Sequence, residues 1–218
     1  MTTERQEPGT RGYDVALGPH RLGGILHRPV DATAIVLFAH GSGSSRFSPR
    51  NTYVAEALRE AGIATLLFDL LTEEEEANRA NVFDIGLLAG RLVSATEWVL
   101  LNPETKMLRV GYFGASTGAA AALVAAARLG NAVGAVVSRG GRPDLAEAAL
   151  PDVVAPTLLI VGGYDTVVIE LNEFARDRLR CEKDLRIVPE ATHLFEEPGK
   201  LDDVIRLARQ WFVDHLTR

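Results

Sequence analysis

The sequence predicts an α/β protein with a mostly parallel, twisted sheet covered by helices on both faces. Short, continuous apolar runs recur along the chain, as in strands that are buried on both sides. Segments with apolar residues at helical spacing alternate with these runs. The chain has 218 residues, 47% hydrophobic and 24% charged, which fits one compact globular domain.

The element boundaries follow from turn signals and breakers. Residues 13–17 and 22–26 flank Gly18-Pro19-His20-Arg21 and predict an antiparallel hairpin. Buried strands are predicted at residues 34–39, 63–68, 108–113, 132–137, 157–161 and 185–188. Helices are predicted at residues 52–60, 83–101, 168–179 and 201–216, in the Ala-rich segment that ends at Leu129, and as one short helix at residues 144–150.

The two ends of this pattern define the expected domain. Residues 13–218 are predicted to form a single domain. Residues 1–12 are charged and lack an apolar run, so we expect a loose tail rather than a signal peptide. Residues 110–127 are nearly uncharged, but they contain three glycines and begin like a strand, which favours a buried element over a membrane helix.

Charge and cysteine content exclude several classes of function. The net charge of -6 argues against nucleic-acid binding. Cys181 is the only cysteine, so neither an intrachain disulfide nor a thiolate metal cluster can form, which suits a cytoplasmic protein. No metal-binding motif is present, and we expect no metal, no cofactor and no membrane partner. The oligomeric state is left open.

Ser116 is the candidate nucleophile. It lies in the pentapeptide Gly114-Ala-Ser-Thr-Gly118, between a predicted strand and an Ala-rich helix. A strand, a G-x-S-x-G turn and a helix in this order form a nucleophile elbow, which lifts the serine hydroxyl clear of the sheet. The alternative is an ordinary glycine-rich connection in an α/β domain.

His193 is the candidate base, because a serine hydroxyl needs a proton acceptor and this histidine follows the last predicted strand. Three other histidines are interpreted as solvated or too early in the chain: His20, His27 and His215. Asp165, at the end of the penultimate strand, is the candidate carboxylate that orients the imidazole. Its rivals are Asp152, Glu170 and, more weakly, Asp69.

Two backbone amides are predicted to bind the oxyanion. The amide of Thr117 begins the helix after the elbow, and the amide of Ser42 lies in the loop His40-Gly-Ser-Gly43 after an early strand. His40 is expected to brace this loop rather than to act as a second base. Together with Gly43, Arg46 and Arg139, it is a candidate substrate-binding residue.

Several arginines follow strands that end at the same edge of the predicted sheet: Arg46, Arg50, Arg139 and Arg142. If their loops converge, they could bind a carboxylate or phosphate on a substrate. The alternative, which we favour, is structural pairing with the acidic run Glu73–Glu76. That run is itself typical of a solvated helix start.

Six motifs in order carry a resemblance to a known family. They are HGSGSSRFSPRN, DLLTEEEE, GASTGAAAAL, SRGGRPDL, PTLLIVGGYD and ATHLFEEPGKL. Together they resemble the dienelactone-hydrolase-like branch of the α/β-hydrolase superfamily. The resemblance implies that fold, with Ser116 as nucleophile, Asp165 as acid and His193 as base. Dienelactone hydrolase itself has a cysteine in the elbow, so Ser116 favours a general serine esterase.

Many α/β hydrolases insert a helical cap after the strand that follows the elbow. Here residues 138–156 leave room for about one short helix, so we expect an open site with little or no cap. The resulting hypothesis is a serine hydrolase of small carboxylic esters, either aryl or short acyl esters and possibly lactones. An acyltransferase or thioesterase with the same three residues is one alternative, and a non-catalytic binding domain is another.

Overall fold

A computed structural model of the chain describes residues 4–7 and 10–217. Its strands are β1 (Glu4–Glu7), β2 (Thr10–Leu17), β3 (Leu22–Pro29), β4 (Ala34–Ala39), β5 (Ala64–Phe68), β6 (Arg109–Ala115), β7 (Val133–Arg139), β8 (Thr157–Gly162) and β9 (Lys183–Val188). In the described part of the chain they form one nine-stranded sheet, in the order β1-β2-β3-β5-β4-β6-β7-β8-β9. Strands β4 to β9 are parallel, whereas β1, β2 and β3 pair antiparallel. This is the α/β-hydrolase fold that the resemblance implies.

Helices cover both faces of this sheet. They are α1 (Pro49–Glu60), α2 (Glu73–Glu76), α3 (Arg79–Val82), α4 (Ile85–Leu101), α5 (Thr117–Leu129), α6 (Thr166–Arg178) and α7 (Lys200–Leu216), with 3₁₀ segments at Gly130–Ala132 and Pro143–Asp152. One apolar cluster joins the sheet to α4, α5 and α6. A second cluster joins the opposite face to α1 and α7. None of the described helices combines the length and apolar character needed to cross a bilayer.

The predicted elements are present, and their boundaries differ by at most about three residues. Helix α1 begins at Pro49, three residues earlier than predicted, because the Ser48 hydroxyl accepts a hydrogen bond from the Asn51 amide at 3.4 Å and caps the helix. The acidic run Glu73–Glu76 is a short helix, α2. Thr72 and Glu75 form a capping box at its start, with hydrogen bonds of 3.0 and 3.2 Å.

The expectation of a loose tail over residues 1–12 is wrong where the structure describes that segment. Residues 4–7 pair with β2, and β2 starts at Thr10 instead of residue 13. Unpaired backbone groups at the edge of a sheet bind a neighbouring strand whatever side chains it carries, so the charged composition is a poor guide here. Residues 1–3 and 8–9 lie outside the described part of the chain.

Close backbone packing fixes the junction between β6 and α5 in the middle of the sheet. A Cβ atom on Gly118 would lie 2.1 Å from the Ala39 carbonyl oxygen, at the end of the neighbouring strand β4. A Cβ atom on Gly114 would lie 2.4 Å from the Ala119 Cα atom. Both distances are too short for any side chain, so glycine is required where the strand turns into the helix.

We predict that Gly118→Ala lowers the free energy of unfolding by at least about 3 kcal/mol, because the added methyl group must displace backbone atoms of Ala39 and His40 at the end of β4. Gly90→Ala is the matched control. Gly90 lies inside α4 with open space around its Cα atom, and there the same substitution should stabilise the protein by about 1 kcal/mol. Urea denaturation of both variants measures the difference. A neutral Gly118→Ala variant would contradict the packing argument.

Candidate active site

Ser116 lies at the sharp turn between β6 and α5. Its backbone has φ 51° and ψ -123°, a conformation that non-glycine residues rarely adopt and that costs about 1–3 kcal/mol. The surrounding chain holds it there: the Arg142 amide donates to the Ser116 carbonyl at 3.1 Å, and the Ser116 amide donates to the Arg139 carbonyl at 3.4 Å. This geometry is that of the predicted nucleophile elbow.

His193 and Asp165 meet at the neighbouring strand ends. The His193 Nδ1 atom lies 2.6 Å from the Asp165 Oδ2 atom. A carboxylate oxygen only accepts hydrogen bonds, so Nδ1 carries the proton and, in the neutral ring, Nε2 keeps its lone pair. The Asp165 side chain is 17% exposed and that of His193 is 38% exposed, so the imidazole can reach a substrate while its partner is shielded.

Tight turns hold this pair in place. The loop after β8 is bonded to the loop after β9, because the Tyr164 amide donates to the Ala191 carbonyl at 2.9 Å. Phe195, two residues after His193, is 1% exposed and packs in the α1 and α7 cluster with φ 57°. A buried anchor and a strained backbone together restrict the position of His193.

The segment Gly140–Gly141 lies close to both the elbow and His193. A Cβ atom on Gly140 would lie 3.5 Å from the His193 Cε1 atom and 3.0 Å from its carbonyl oxygen. The two residues that flank this segment, Arg139 and Arg142, are those that hold the Ser116 backbone. Ser116 and His193 therefore pack against the same short stretch of chain.

The rivals of Asp165 lie elsewhere. Asp69 accepts a hydrogen bond from the Arg46 amide at 2.8 Å and forms an ion pair with the Arg46 guanidinium. Both of its carboxylate oxygens are therefore bonded to Arg46, far from the end of β8. Asp152 ends the 3₁₀ segment before β8 and is exposed. Glu170 is an exposed residue of α6. Among the described residues, no group of three or more His, Cys, Asp or Glu side chains could hold a metal ion.

Two hydrogen bonds of the His40 ring stabilise the loop after β4. His40 Nε2 accepts a hydrogen bond from the Leu70 amide at 3.1 Å, so its proton is on Nδ1, which donates to the Gly41 carbonyl at 3.0 Å. Both ring nitrogens are thus used by the backbone. A Cβ atom on Gly41 would lie 3.0 Å from the Ser116 Cβ atom, which places this loop against the elbow.

One contact at this loop was not predicted from the sequence. The Ser42 amide, a predicted oxyanion donor, donates to the Thr117 hydroxyl at 3.1 Å. The side chain of Thr117 therefore occupies the acceptor position that an oxyanion would take. Gly43 follows with φ 69° and has open space around it.

Three of the four arginines pair with carboxylates, but not with the run Glu73–Glu76. Arg46 pairs with Asp69, Arg50 with Glu196 at 2.9 Å, and Arg142 with Asp144 at 2.8 Å. Within the acidic run, Glu75 pairs with Arg91 instead. The predicted partners are therefore wrong, since the carboxylates that Arg46, Arg50 and Arg142 meet all lie outside the run.

Arg139 is the fourth of these arginines, and it is 6% exposed. Its Nη2 atom lies 3.5 Å from the Asn51 side-chain oxygen, on the α1 side of the sheet. Burial, together with the charge of Arg50, lowers the pKa of Arg139 to about 10. Unlike His40, Gly43 and Arg46, which are the other candidate substrate-binding residues, it does not line the cavity described next.

A cavity of about 440 Å³ opens beside the elbow. Loop 40–47, the start of β3, the segment after β5 and the first turn of α4 form its walls. Four of its apolar lining residues are buried: Leu22, Leu70, Leu71 and Leu88. Sequence reasoning missed this cavity, since each of these leucines has the pattern of an ordinary core residue and only the tertiary fold brings them together.

We predict that Asp69→Ala lowers the free energy of unfolding by about 2 kcal/mol, since it removes the charged acceptor of two hydrogen bonds and leaves the half-buried Arg46 unpaired. Asp152→Ala, at an exposed aspartate, should change stability by less than about 0.5 kcal/mol. Thermal or urea unfolding gives both values. Equal effects of the two variants would show that the Arg46–Asp69 pair does not hold the loop.

Comparison with known proteins places this chain in a family. Residues 22–211 match the Dienelactone hydrolase family. A crystal structure of dienelactone hydrolase from Anabaena variabilis is 59% identical, with a TM-score of 0.91 and 99% of each chain covered. An α/β serine hydrolase without lid from Xanthomonas campestris is 22% identical, with a TM-score of 0.73 and 98% of each chain covered, a likeness of fold alone.

Two curated relatives are named for a different activity. Both come from Mycobacterium tuberculosis, strains CDC 1551 and H37Rv, and are called "Putative phosphoribosyl transferase". Each is 63% identical over 202 residues, which are 93% of this chain and 46% of the relative. The chain thus spans about half the length of these relatives. The family match and the hydrolase structures support a hydrolase function, and the chain belongs to the dienelactone hydrolase family.

Proposed function

We propose that this protein hydrolyses carboxylic esters, with Ser116 as nucleophile, His193 as general base and acid, and Asp165 as the carboxylate that orients His193. One observation carries the proposal. The hydrogen bond between His193 Nδ1 and Asp165 leaves Nε2 as the proton acceptor, and the imidazole packs on the segment that also holds the Ser116 elbow.

In the first half of the reaction, His193 Nε2 takes the proton of the Ser116 hydroxyl while the Ser116 oxygen attacks the ester carbonyl carbon. The carbonyl oxygen becomes an oxyanion, which accepts hydrogen bonds from the amides of Ser42 and Thr117. It replaces the Thr117 hydroxyl as the acceptor of the Ser42 amide. The carbon–oxygen bond to the alcohol then breaks, and His193 Nε2 gives its proton to the leaving alkoxide.

In the second half, water repeats these steps in the acyl-enzyme. His193 Nε2 takes a proton from the water as its oxygen attacks the acyl carbon, and the same two amides hold the new oxyanion. The bond to Ser116 breaks, and the Ser116 oxygen recovers its proton from His193. The products are one carboxylic acid and one alcohol, and the enzyme returns to its starting state.

The proposed substrates are small aryl or short acyl esters, possibly including lactones. Support comes from the short connection after β7. Its only helical element is the 3₁₀ segment Pro143–Asp152, so this described connection is too short to form a large cap over His193. Exposed apolar side chains flank the two residues of the pair: Tyr164 precedes Asp165 and Leu194 follows His193. A leaving group of varied shape can be accommodated there.

The phosphoribosyl transferase activity named for the two mycobacterial relatives belongs, in our proposal, to the half of those proteins that this chain does not match. The matched half contains the residues equivalent to nearly the whole of this chain, including its elbow. A strained serine, an oriented imidazole and two nearby amides suit acyl transfer to water.

We predict that a fluorophosphonate probe labels Ser116 and that Ser116→Ala abolishes both labelling and the hydrolysis of p-nitrophenyl acetate. Ser94→Ala is the matched control, because Ser94 lies in α4, away from the elbow. Labelling is read by peptide mass spectrometry and turnover by absorbance. Undiminished turnover in Ser116→Ala would remove the proposal.

We predict that Asp165→Asn lowers kcat by about 10³–10⁴-fold, with a much smaller change in KM, because an amide does not hold the imidazole in the tautomer that leaves Nε2 free. Glu170→Gln makes the same chemical change five residues later, at an exposed position in α6, and should alter kcat by less than about twofold. Steady-state kinetics on one ester compare the two variants. Similar losses in both would mean that Asp165 has no special role.

A further inference from the structure

The cavity beside the elbow has both apolar and polar walls. Its apolar lining includes the four buried leucines named above and Val82 of α3. Its polar lining includes the buried Thr117 and three exposed charged residues: Arg21, Glu73 and Glu76. Arg46, which also lines it, is paired with Asp69. An apolar group can pack against the buried leucines and leave the Arg46–Asp69 pair intact.

The order of the strands places this cavity and the imidazole on opposite sides of Ser116. The elbow follows the central strand β6, with β4, β5 and β3 to one side and β7, β8 and β9 to the other. The cavity is lined by segments that adjoin β3, β4 and β5, together with Thr117. His193 and Asp165 follow β9 and β8, and neither of them lines it.

This asymmetry indicates on which side of Ser116 each half of an ester, the acyl group or the leaving alcohol, would bind. The leaving alcohol must receive a proton from His193, so it lies on the β7–β9 side. The carbonyl oxygen points to the amides of Ser42 and Thr117, two residues that line the cavity. The remaining substituent of the carbonyl carbon, the acyl chain, is then directed towards β3–β5 and into the cavity.

We infer that this cavity is an acyl pocket and that the enzyme selects esters by their acyl group, favouring apolar acyl groups larger than acetyl, while it discriminates little between leaving groups. This inference rests on the proposed ester hydrolysis. The volume of about 440 Å³ lies within the range of small-molecule sites and far exceeds the needs of a methyl group. Each methylene buried there should raise kcat/KM about fourfold.

The test uses two series of esters with the wild-type protein. In p-nitrophenyl esters from acetate to hexanoate, the leaving group is constant and the acyl chain grows. In 4-alkylphenyl acetates from methyl to pentyl, the acyl group is constant and the phenol grows with little change in its acidity. We expect about a fourfold rise in kcat/KM per methylene in the first series and less than a twofold change per methylene in the second. A flat or falling acyl series would overturn the inference.

A pair of variants tests whether the cavity is the part of the protein that selects the acyl group. Val82→Trp fills the cavity from α3, whereas Val167→Trp places the same bulk at an exposed position two residues after Asp165, outside the cavity. The ratio of kcat/KM for hexanoate to that for acetate should fall at least tenfold in Val82→Trp and stay within twofold in Val167→Trp. An equal fall in both variants, or in neither, would contradict the assignment.

These outcomes separate the inference from the proposed function. Turnover of all acyl lengths at equal kcat/KM, with Ser116 still labelled by the probe, would overturn the acyl pocket alone. Absence of turnover for every ester, with Ser116 unlabelled, would overturn both. The wild-type series decides the question even if Val82→Trp does not fold, because it requires no substitution.

Discussion

The close approach of the β4 backbone to Gly118 is the constraint on which the site depends. The Ala39 carbonyl oxygen occupies the place where a side chain of residue 118 would lie. This contact brings the loop after β4 to the start of α5, so that Ser42 and Thr117 face each other across a hydrogen bond of 3.1 Å. It also places Gly41 against Ser116. One packing contact between the end of β4 and the start of α5 therefore positions the proposed nucleophile, the proposed oxyanion donors and the adjoining cavity wall.

The central strand divides the site into two halves with different construction. On the β7–β9 side, His193 and Asp165 lie on loops bonded to each other, and the surface around them is open. On the β3–β5 side, a braced loop and the small helices α2 and α3 enclose a cavity. The proposed proton-transfer groups can thus stay fixed while residues such as Val82 vary the shape of the other half. In our proposal, this division separates chemistry from acyl selection.

Much of this arrangement could be predicted from the sequence, because each candidate residue directly follows a buried strand. Parallel strands end at the same edge, so Ser116, Asp165 and His193 were expected to lie near one another. The cavity could not be predicted, since leucines such as Leu22 and Leu88 come from distant elements and carry only a core pattern. The predicted ion-pair partners of Arg46 and Arg142 were also wrong, because charge alone does not tell which carboxylate a side chain will meet in the folded protein. The N-terminal strand depends on backbone pairing, which composition does not encode.

Trapping the acyl-enzyme tests the central claim most directly. After brief reaction with p-nitrophenyl hexanoate and an acid quench, trypsin should release the peptide of residues 110–128, and its mass should include one hexanoyl group on Ser116. We expect this adduct during turnover and its disappearance when the ester is exhausted. Turnover that continues with no adduct, or with the acyl group on another residue, would contradict it.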